Sequence, residues 1–128
     1  MSNIMILNGS PRKNGNTAKL VQSFKEGAES VGNRVQEFYL PGMNISGCKG
    51  CLKACKNPAS PCVQKDDMEG IYSAFSKADV VVFASPVYFW TVTGQLKTTA
   101  DRLYAELECL GYGQFKNCLL YTSPSPRD

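Results

Sequence analysis

Two uninterrupted apolar runs constrain the fold of this chain more than any other feature of its sequence. They read NIMILN at residues 3–8 and DVVVFA at residues 79–84, and turn-forming residues follow each of them. Short apolar runs of this kind are typical of strands buried on both faces, as in a parallel sheet covered by helices on both sides. A third strand is predicted at residues 34–40, where Pro41 and Gly42 end it.

Segments with helical periodicity separate and follow these strands. The first helix should end before Gly32, the second should begin with a capping box of Asp66 and Glu69 and end near Lys77, and the third should run unbroken over residues 94–111. Their apolar positions are, in order, Leu20, Val21, Phe24, Ala28 and Val31; Met68, Ile71, Tyr72 and Phe75; Leu96, Ala100, Leu103, Leu107 and Leu110. Strands that alternate with helices predict a doubly wound α/β fold with right-handed crossovers.

Length and charge narrow the function classes. The chain has 128 residues, enough for one domain, and a formal charge of +3 with its basic residues scattered, which does not fit a nucleic-acid-binding surface. It has no signal-peptide pattern and no apolar run of about 20 residues that could span a membrane, so we expect a cytoplasmic protein. In a reducing cytosol, clustered cysteines indicate metal or redox chemistry more often than structural disulfides. The lack of histidine excludes a histidine ligand or base.

The loop after the first strand has the composition of a phosphate site. It reads NGSPRKNGNT over residues 8–17 and joins a buried strand to a helix N-terminus, where backbone N–H groups and the helix dipole favour an anion. The candidate contacts are the short polar side chains Ser10, Asn16 and Thr17 and the basic side chains Arg12 and Lys13. The loop lacks the nucleotide-triphosphatase and dinucleotide-binding glycine patterns. The alternative is an ordinary turn in which Asn16 or Thr17 caps the helix.

The loop after the second apolar run carries adjacent aromatic residues. It reads SPVYFWTVTGQLK over residues 85–97 and contains Tyr88, Phe89 and Trp90. In an open α/β sheet, ligands bind beyond the carboxyl ends of the strands, so this loop should share an edge with the phosphate loop. A flat aromatic ligand that carries a phosphate would suit both loops. The alternative is that the aromatic side chains pack against the following helix.

Together, four segments resemble the flavodoxin-like NADPH-dependent FMN reductases. The segments are GSPRKNGNT, a cysteine loop that ends in CVQKDDM, ADVVVFASPVYF and GQLKTTADR, in the order of that family. The resemblance implies a parallel sheet of order 2-1-3-4-5 that binds FMN. It assigns phosphate contacts to Ser10, Arg12, Asn16 and Thr17 and contacts with the isoalloxazine ring to Pro86, Val87, Tyr88 and Phe89. Asp101 and Arg102 match a pair that we interpret as structural.

The resemblance also implies an activity. A member of this family would be an NAD(P)H-dependent oxidoreductase that passes electrons from the nicotinamide through FMN to a quinone, a flavin or another acceptor. Because the cofactor supplies the chemistry, we assign no catalytic side chain. The partners would be a small-molecule acceptor or a redox protein, with neither nucleic acid nor membrane, and a homodimer fits the family's usual assembly.

Four cysteines form a second candidate site with the spacing C-x2-C-x3-C-x6-C: Cys48, Cys51, Cys55 and Cys62. Four thiolates this close in sequence can bind a [4Fe-4S] cluster or zinc. The iron-sulfur flavoproteins, a branch of the same family, use such a loop for a cluster, but their motif begins C-x2-C-x2-C. Because of the extra residue before Cys55, a structural or redox-active thiol loop is the first interpretation. The second is the cluster of an iron-sulfur flavoprotein, and the third is a zinc-stabilised, non-enzymatic interaction module.

The final segment, CLLYTSPSPRD at residues 118–128, resembles a sequence that is not part of a natural protein. It matches letter for letter one reading frame of a transposase-type sequencing-library adapter, so we expect a non-native tail rather than a natural proline-rich terminus. Residues 1–117 would then be the N-terminal part of the FMN-binding domain, with strands four and five largely missing. Such a chain would expose a sheet edge and hold little FMN, and it would by itself be inactive. The apolar run at residues 118–122 could nonetheless be placed as a fourth strand.

Overall fold

Four parallel strands form the sheet in the computed structural model, which describes residues 1–58, 60–110 and the backbone of residues 118–123. The strands are β1 (Asn3–Asn8), β2 (Arg34–Tyr39), β3 (Val80–Pro86) and β4 (Cys118–Ser123). Their order is β2-β1-β3-β4, and every neighbouring pair is parallel. The predicted flavodoxin-like order 2-1-3 is confirmed.

The central strand β1 is buried on both faces because its side chains alternate between two apolar clusters. Ile4 and Ile6 belong to one cluster, whose other buried members are Val21, Val82 and Ala84. Met5 and Leu7 belong to the second cluster, with buried residues of the helices on that side, among them Met68, Ile71, Phe75, Leu96 and Leu103. Each fully buried aliphatic side chain contributes roughly 1.5–3 kcal/mol. The apolar run at residues 3–8 is therefore continuous because both faces are covered.

The helices lie on opposite faces of the sheet, as a doubly wound fold requires. The helix α1 (Asn16–Ser30) contributes Val21 to the cluster on one face. The helices α2 (Met68–Phe75), α3 (Gly94–Arg102) and α4 (Tyr104–Leu110) contribute to the other cluster. Among the residues described, no helix combines the length and the apolar character needed to cross a bilayer.

The start of α2 differs from the prediction. The Asp66 carboxylate accepts a hydrogen bond from the Met68 N–H at 3.1 Å, but the Glu69 carboxylate accepts one from the Ser60 hydroxyl at 3.0 Å. The reciprocal bond of a capping box is therefore not formed, and that prediction is wrong. The physical reason is that the N-cap residue of α2 is Asp67, one residue later than predicted, and that the Glu69 carboxylate is held by Ser60 instead. The helix ends at Phe75, two residues before the predicted Lys77.

The predicted third helix is divided into α3 and α4 at Leu103. The carbonyl oxygen of Arg102, which an unbroken helix would pair with the Glu106 N–H, accepts a hydrogen bond from the Tyr72 hydroxyl at 2.7 Å. The Glu106 N–H donates instead to the Leu103 carbonyl at 3.1 Å. A contact from α2 thus changes the hydrogen bonding of the helix, and the prediction of one continuous helix is wrong.

The fourth position of the sheet is occupied by residues of the segment that we assigned to a tail. The strand β4 pairs with β3 from Val81 opposite Cys118 to Pro86 opposite Ser123. The apolar run at residues 118–122 therefore takes the place where strand four was expected to be largely missing. The assignment of residues 118–128 to an adapter stays a prediction, as does the boundary after residue 117.

Candidate functional site

The loops after β1 and β3 meet at Gly9. The Gly9 N–H donates to the Ala84 carbonyl at 2.8 Å, and the Thr93 hydroxyl donates to the Gly9 carbonyl at 2.7 Å. A Cβ atom on residue 9 would lie 2.6 Å from the Leu96 Cβ and 2.7 Å from the Thr93 Oγ1, which leaves no room for a side chain. The glycine therefore brings the two loops together at the carboxyl edge of the sheet, where ligands bind in such folds.

Buried hydroxyl groups hold the second loop in place. The Ser85 Oγ accepts a hydrogen bond from the Thr93 N–H at 2.9 Å and donates to the Pro86 carbonyl at 2.7 Å. The Thr93 Oγ1 also caps α3 by accepting from the Leu96 N–H at 3.3 Å. Our sequence prediction missed both roles, although a threonine directly before a helix-starting residue is a recognised N-cap signal.

The phosphate loop brings the predicted contact residues to the N-terminus of α1. Ser10 is fully buried, and its hydroxyl lies 3.2 Å from the backbone N and O atoms of Arg12. Arg12 and Asn16 are exposed, and Thr17 is buried in the first turn.

The N-cap residue of α1 is Gly15, and the first turn has no acidic side chain. The alternative in which Asn16 or Thr17 caps the helix does not hold, because both already lie inside it. A helix N-terminus without a side-chain cap bond or an acidic group offers its N–H groups and its dipole to an anion. These residues fit a phosphate group.

The aromatic segment forms a tight turn at the same edge. Pro86 is buried at the end of β3, and Val87 and Tyr88 are partly buried. The backbones of Tyr88 and Thr91 exchange hydrogen bonds of 2.8 and 3.1 Å across Phe89 and Trp90. The two intervening residues have φ angles of +45° and +70°, and their side chains are 93% and 90% exposed.

Two consecutive positive φ angles are characteristic of a type I′ turn, which glycine, asparagine and aspartate normally occupy. Bulky residues in this region cost of order 1–3 kcal/mol each, and such outliers are frequent at ligand sites. The turn thus holds two aromatic rings out into solvent beside the phosphate loop, at an energetic cost that packing does not explain.

A buried ion pair lies beneath the cysteine loop. The Arg102 guanidinium, which is 2% exposed, donates to both carboxylate oxygens of Asp66 at 2.7 and 3.1 Å and to the Ser46 carbonyl at 2.7 Å. Burial alone would raise the pKa of Asp66, but hydrogen bonds from Arg102 and from the backbone of Ser46 and Met68 lower it below its ordinary value. Asp101, by contrast, is exposed and pairs with Lys97. The interpretation of Arg102 as structural agrees with these contacts.

Hydrogen bonds join the two ends of the cysteine loop, and we call these bonded residues the neck of the loop. Asn44 and Asp67 form two of them, at 2.6 and 3.1 Å, and the Ser46 N–H donates to Asp66 at 3.2 Å. The Gln64 amide adds a bond to the Gly47 carbonyl at 3.0 Å. The segment that carries Cys48 and Cys62 therefore starts and ends at the same place on the domain.

The structure brings together three of the four predicted cysteines. Cys48, Cys51 and Cys62 carry free thiols and line a small cavity of about 50 Å³. Cys55 forms a disulfide with Cys109 of α4. Over residues 1–58, 60–110 and 118–123, no group of three or more possible ligands is arranged to hold a metal ion.

As the chain stands, its cysteines therefore do not fit a site of four thiolates, because one of the four is oxidised. Our sequence prediction assigned Cys109 no role. Its partner lies 54 positions earlier, so no local spacing could indicate the pair.

Comparisons with known proteins identify relatives of this chain and agree with its fold. The model of the family described as NADPH-dependent FMN reductase matches residues 2–121. An iron-sulfur flavoprotein of Archaeoglobus fulgidus is 37% identical over 74% of this chain and 42% of its own length. One of Clostridioides difficile is also 37% identical, over 94% of this chain and 53% of its own length. The chain thus spans about half the length of these curated relatives.

A solved structure shows the same fold. The NAD(P)H:quinone oxidoreductase from Methanothermobacter marburgensis superimposes with a TM-score of 0.69 at 17% identity, over 94% of this chain and 64% of its own. The parallel sheet, the glycine contact between its two loops and the match over nearly the whole chain lead to one conclusion: this chain belongs to the NADPH-dependent FMN reductase family.

Proposed function

We propose that this chain binds FMN as part of an oxidoreductase that passes electrons from NAD(P)H to an acceptor. The observation that carries the proposal is the contact of Gly9 with Thr93, which puts an uncapped helix N-terminus and an aromatic turn side by side. Both lie at the carboxyl edge of the sheet, where ligands bind in open α/β folds. A ligand with a phosphate at one end and a flat ring at the other would occupy both loops at once.

Each loop has its own task in this proposal. Ser10, Asn16 and Thr17 bind the phosphate at the start of α1, and Arg12 adds positive charge at the rim. The ring lies against four residues at the end of β3, namely Pro86, Val87, Tyr88 and Phe89. When bound, FMN would accept a hydride from NAD(P)H and release the electrons to a quinone, a flavin or another acceptor. The side chains bind the flavin, orient its ring and exclude water from it, so we propose no catalytic acid, base or nucleophile.

The test compares FMN with riboflavin, which has the same ring but no phosphate. Because hydrogen bonds to charged groups contribute about 1.5–3 kcal/mol, FMN should bind at least about tenfold more tightly. Arg12→Ala and Asn16→Ala, at exposed positions, should reduce the ratio of the riboflavin dissociation constant to that of FMN. Lys19→Ala, in the following turn, should leave this ratio unchanged. Quenching of flavin fluorescence gives both dissociation constants.

Two results would count against this proposal. One is equal affinity for the two flavins, and the other is the absence of any saturable flavin binding. With FMN bound, anaerobic mixing with NADPH or NADH should bleach the visible absorbance of the flavin. Bleaching by neither nucleotide would remove the NAD(P)H part of the proposal while leaving the binding part.

An iron-sulfur flavoprotein is the second candidate function. The observation that favours it is the similarity to relatives of this name, and the Cys55–Cys109 disulfide of the oxidised chain stands against it. With the disulfide open, Cys48, Cys51, Cys55 and Cys62 would be the residues to hold a cluster, which would supply single-electron transfer. Iron analysis and absorption spectra after anaerobic reconstitution test this candidate. Flavin bands without iron would reject it, and zinc without flavin would favour an interaction module over both candidates.

A further inference from the structure

The disulfide between Cys55 and Cys109 is the feature that the proposed functions do not use. It joins the cysteine loop to α4, while the other three cysteines of the loop keep free thiols. Residues next to both ends of the disulfide line the thiol cavity: Ala54 precedes Cys55, and Ala105 lies one helical turn before Cys109. Cys55 is therefore bound to a partner outside the four-cysteine motif, while its sequence neighbour Ala54 lines the cavity of the free thiols.

The backbone of the loop supports a switch between two partners. Cys55 has a φ angle of +60° and Leu52 one of +55°, a region that residues with side chains rarely adopt. A hydrogen bond from the Cys55 N–H to the Pro61 carbonyl at 2.9 Å and the disulfide hold this conformation. The neck formed by Asn44, Ser46, Asp66 and Asp67 does not depend on either. Opening the disulfide would thus free the tip of the loop while its base stays closed.

We propose that the Cys55–Cys109 disulfide is a redox switch that withholds Cys55 from a thiolate site completed by Cys48, Cys51 and Cys62. In the oxidised chain the cavity offers three thiols, and in the reduced chain the loop offers four. The ligands suited to such a site are soft divalent cations and iron-sulfur clusters. This inference builds on the proposed thiol site of the second candidate function and assigns Cys109 a regulatory role.

The chemistry requires a dithiol reductant. Its thiolate attacks one sulfur of the disulfide, its second thiol closes a disulfide within the reductant, and two electrons and two protons pass to Cys55 and Cys109 as thiols. Cys48, Cys51, Cys55 and Cys62 would then be free to hold a soft divalent cation, which would bind them as thiolates with the release of their four protons. Oxidation by a small-molecule disulfide reverses the first step, with two thiols of the oxidant as its products.

The experiment uses Cd²⁺ alone as the probe, because each Cd–thiolate bond adds to an ultraviolet charge-transfer band. All proteins carry Cys118→Ser so that five cysteines remain. The chain reduced with a dithiol and desalted under argon should bind Cd²⁺ with a four-thiolate band. After oxidation by a small disulfide, binding should weaken at least about tenfold, since loss of an outer-shell partner alone costs 10–100-fold. Alkylation and peptide mass mapping identify which thiols are paired.

Cys109→Ser is the variant that separates the switch from a simple loss of thiols. It keeps all four loop cysteines, so its Cd²⁺ affinity should match that of the reduced parent and should persist after the same oxidation. Cys55→Ser should show a three-thiolate band in both states. FMN titration on the same samples reports separately on the flavin site. Equal Cd²⁺ affinity of the oxidised and reduced parent, or binding in neither, would overturn the switch whatever the FMN result.

Discussion

At Gly9 the loop after β1 touches the first turn of α3, and the geometry of the candidate flavin site depends on this approach. The glycine carbonyl accepts the Thr93 hydroxyl, which also caps α3, so one side chain joins the two loops to the helix. Asp66 and Arg102 have a similar role at the C-terminal end of α3, where their ion pair fixes the base of the cysteine loop. In both places a single residue pair fixes a loop on the domain.

We expect Gly9→Ala to destabilise the fold and to weaken FMN binding. The added Cβ would meet the Leu96 Cβ at 2.6 Å and force the loops apart, at a cost of about 1–3 kcal/mol. Gly27→Ala is the matched control, since a Cβ there meets nothing within 4 Å and alanine favours the helix by up to about 1 kcal/mol. Urea unfolding measures both changes. If Gly9→Ala were as stable as Gly27→Ala, the close contact would not exist in solution.

The Asp66–Arg102 pair should make stability depend on pH. Asp66→Asn leaves the Arg102 guanidinium buried without its counter-charge, which costs about 3–5 kcal/mol. Because the pKa of Asp66 is lower in the folded state, its contribution is present above the unfolded pKa of about 3.9 and is lost as the pH falls through the folded pKa. The stability difference between the parent chain and Asp66→Asn should therefore shrink in acid.

Asp101→Asn provides the comparison for this prediction. Its carboxylate is exposed and pairs with Lys97 on the same helix, so its loss should cost well under about 1 kcal/mol. Urea unfolding of the parent chain, Asp66→Asn and Asp101→Asn at neutral pH and at several acidic pH values gives the stability cost of each substitution as a function of pH. A cost for Asp66→Asn as small as that for Asp101→Asn would contradict the assignment of a buried, coupled pair.

The turn at Phe89 and Trp90 exposes two aromatic side chains to solvent at the cost of a strained backbone. Its two central residues occupy a backbone region that suits asparagine and glycine, yet both have large side chains exposed to solvent. The side chains are therefore maintained against the preference of the backbone, as expected if Phe89 contacts a ligand.

Replacing Phe89 and Trp90 together with Asn and Gly should stabilise the chain by about 1–3 kcal/mol and weaken FMN binding. The gain comes from relief of the left-handed strain, and the loss comes from removal of the Phe89 ring. Trp90→Gly alone should give part of the gain and keep the affinity, because Trp90 is not among the proposed ring contacts. Thermal unfolding and flavin fluorescence measure the two quantities separately. Full FMN affinity in the double variant would exclude the ring of Phe89 from the site.

Local sequence patterns predicted the strands well and the details of the helices less well. The residues of β1 were predicted without error, because a run buried on both faces needs no partner to be recognised. The break at Leu103 involves the Tyr72 hydroxyl, which bonds to a carbonyl 30 positions away, and the capping box fails because Glu69 bonds to Ser60 in the cysteine loop. The two loops of the candidate site were located from their positions directly after two predicted strands, whereas the Thr93 contact and the Cys109 partner depend on folding. Long-range contacts of this kind leave no local periodicity.

The strand β4 determines whether β3 is an inner strand or an edge strand of the sheet. It pairs with β3 along six positions, from Val81 to Pro86. We propose that residues 118–128 are encoded by an adapter, in which case this pairing depends on backbone hydrogen bonds and general apolar character. A homodimer at the flavin site is a further proposal, consistent with two aromatic rings exposed to solvent at that edge.

Ending the chain after Asn117 should increase self-association. The backbone groups of β3 that pair with β4 would then face solvent and offer a template for other chains. A chain that ends after Ser123 keeps β4 and serves as the matched control. Size-exclusion chromatography with light scattering at equal concentrations compares the two. If both shortened chains gave the same distribution of species, β4 would not protect the edge.

The disulfide also closes a covalent ring in the chain. Its cysteines are 54 positions apart, so the ring contains α2, β3, α3 and the turn at Phe89 and Trp90. These two aromatic residues are 93% and 90% exposed and form the kind of peptide bond that a chymotrypsin-type protease cleaves. A single cut there would open the ring without releasing a fragment. The nicked chain would migrate as one species until a reductant separated it into two pieces, so electrophoresis with and without reductant would report the state of the disulfide.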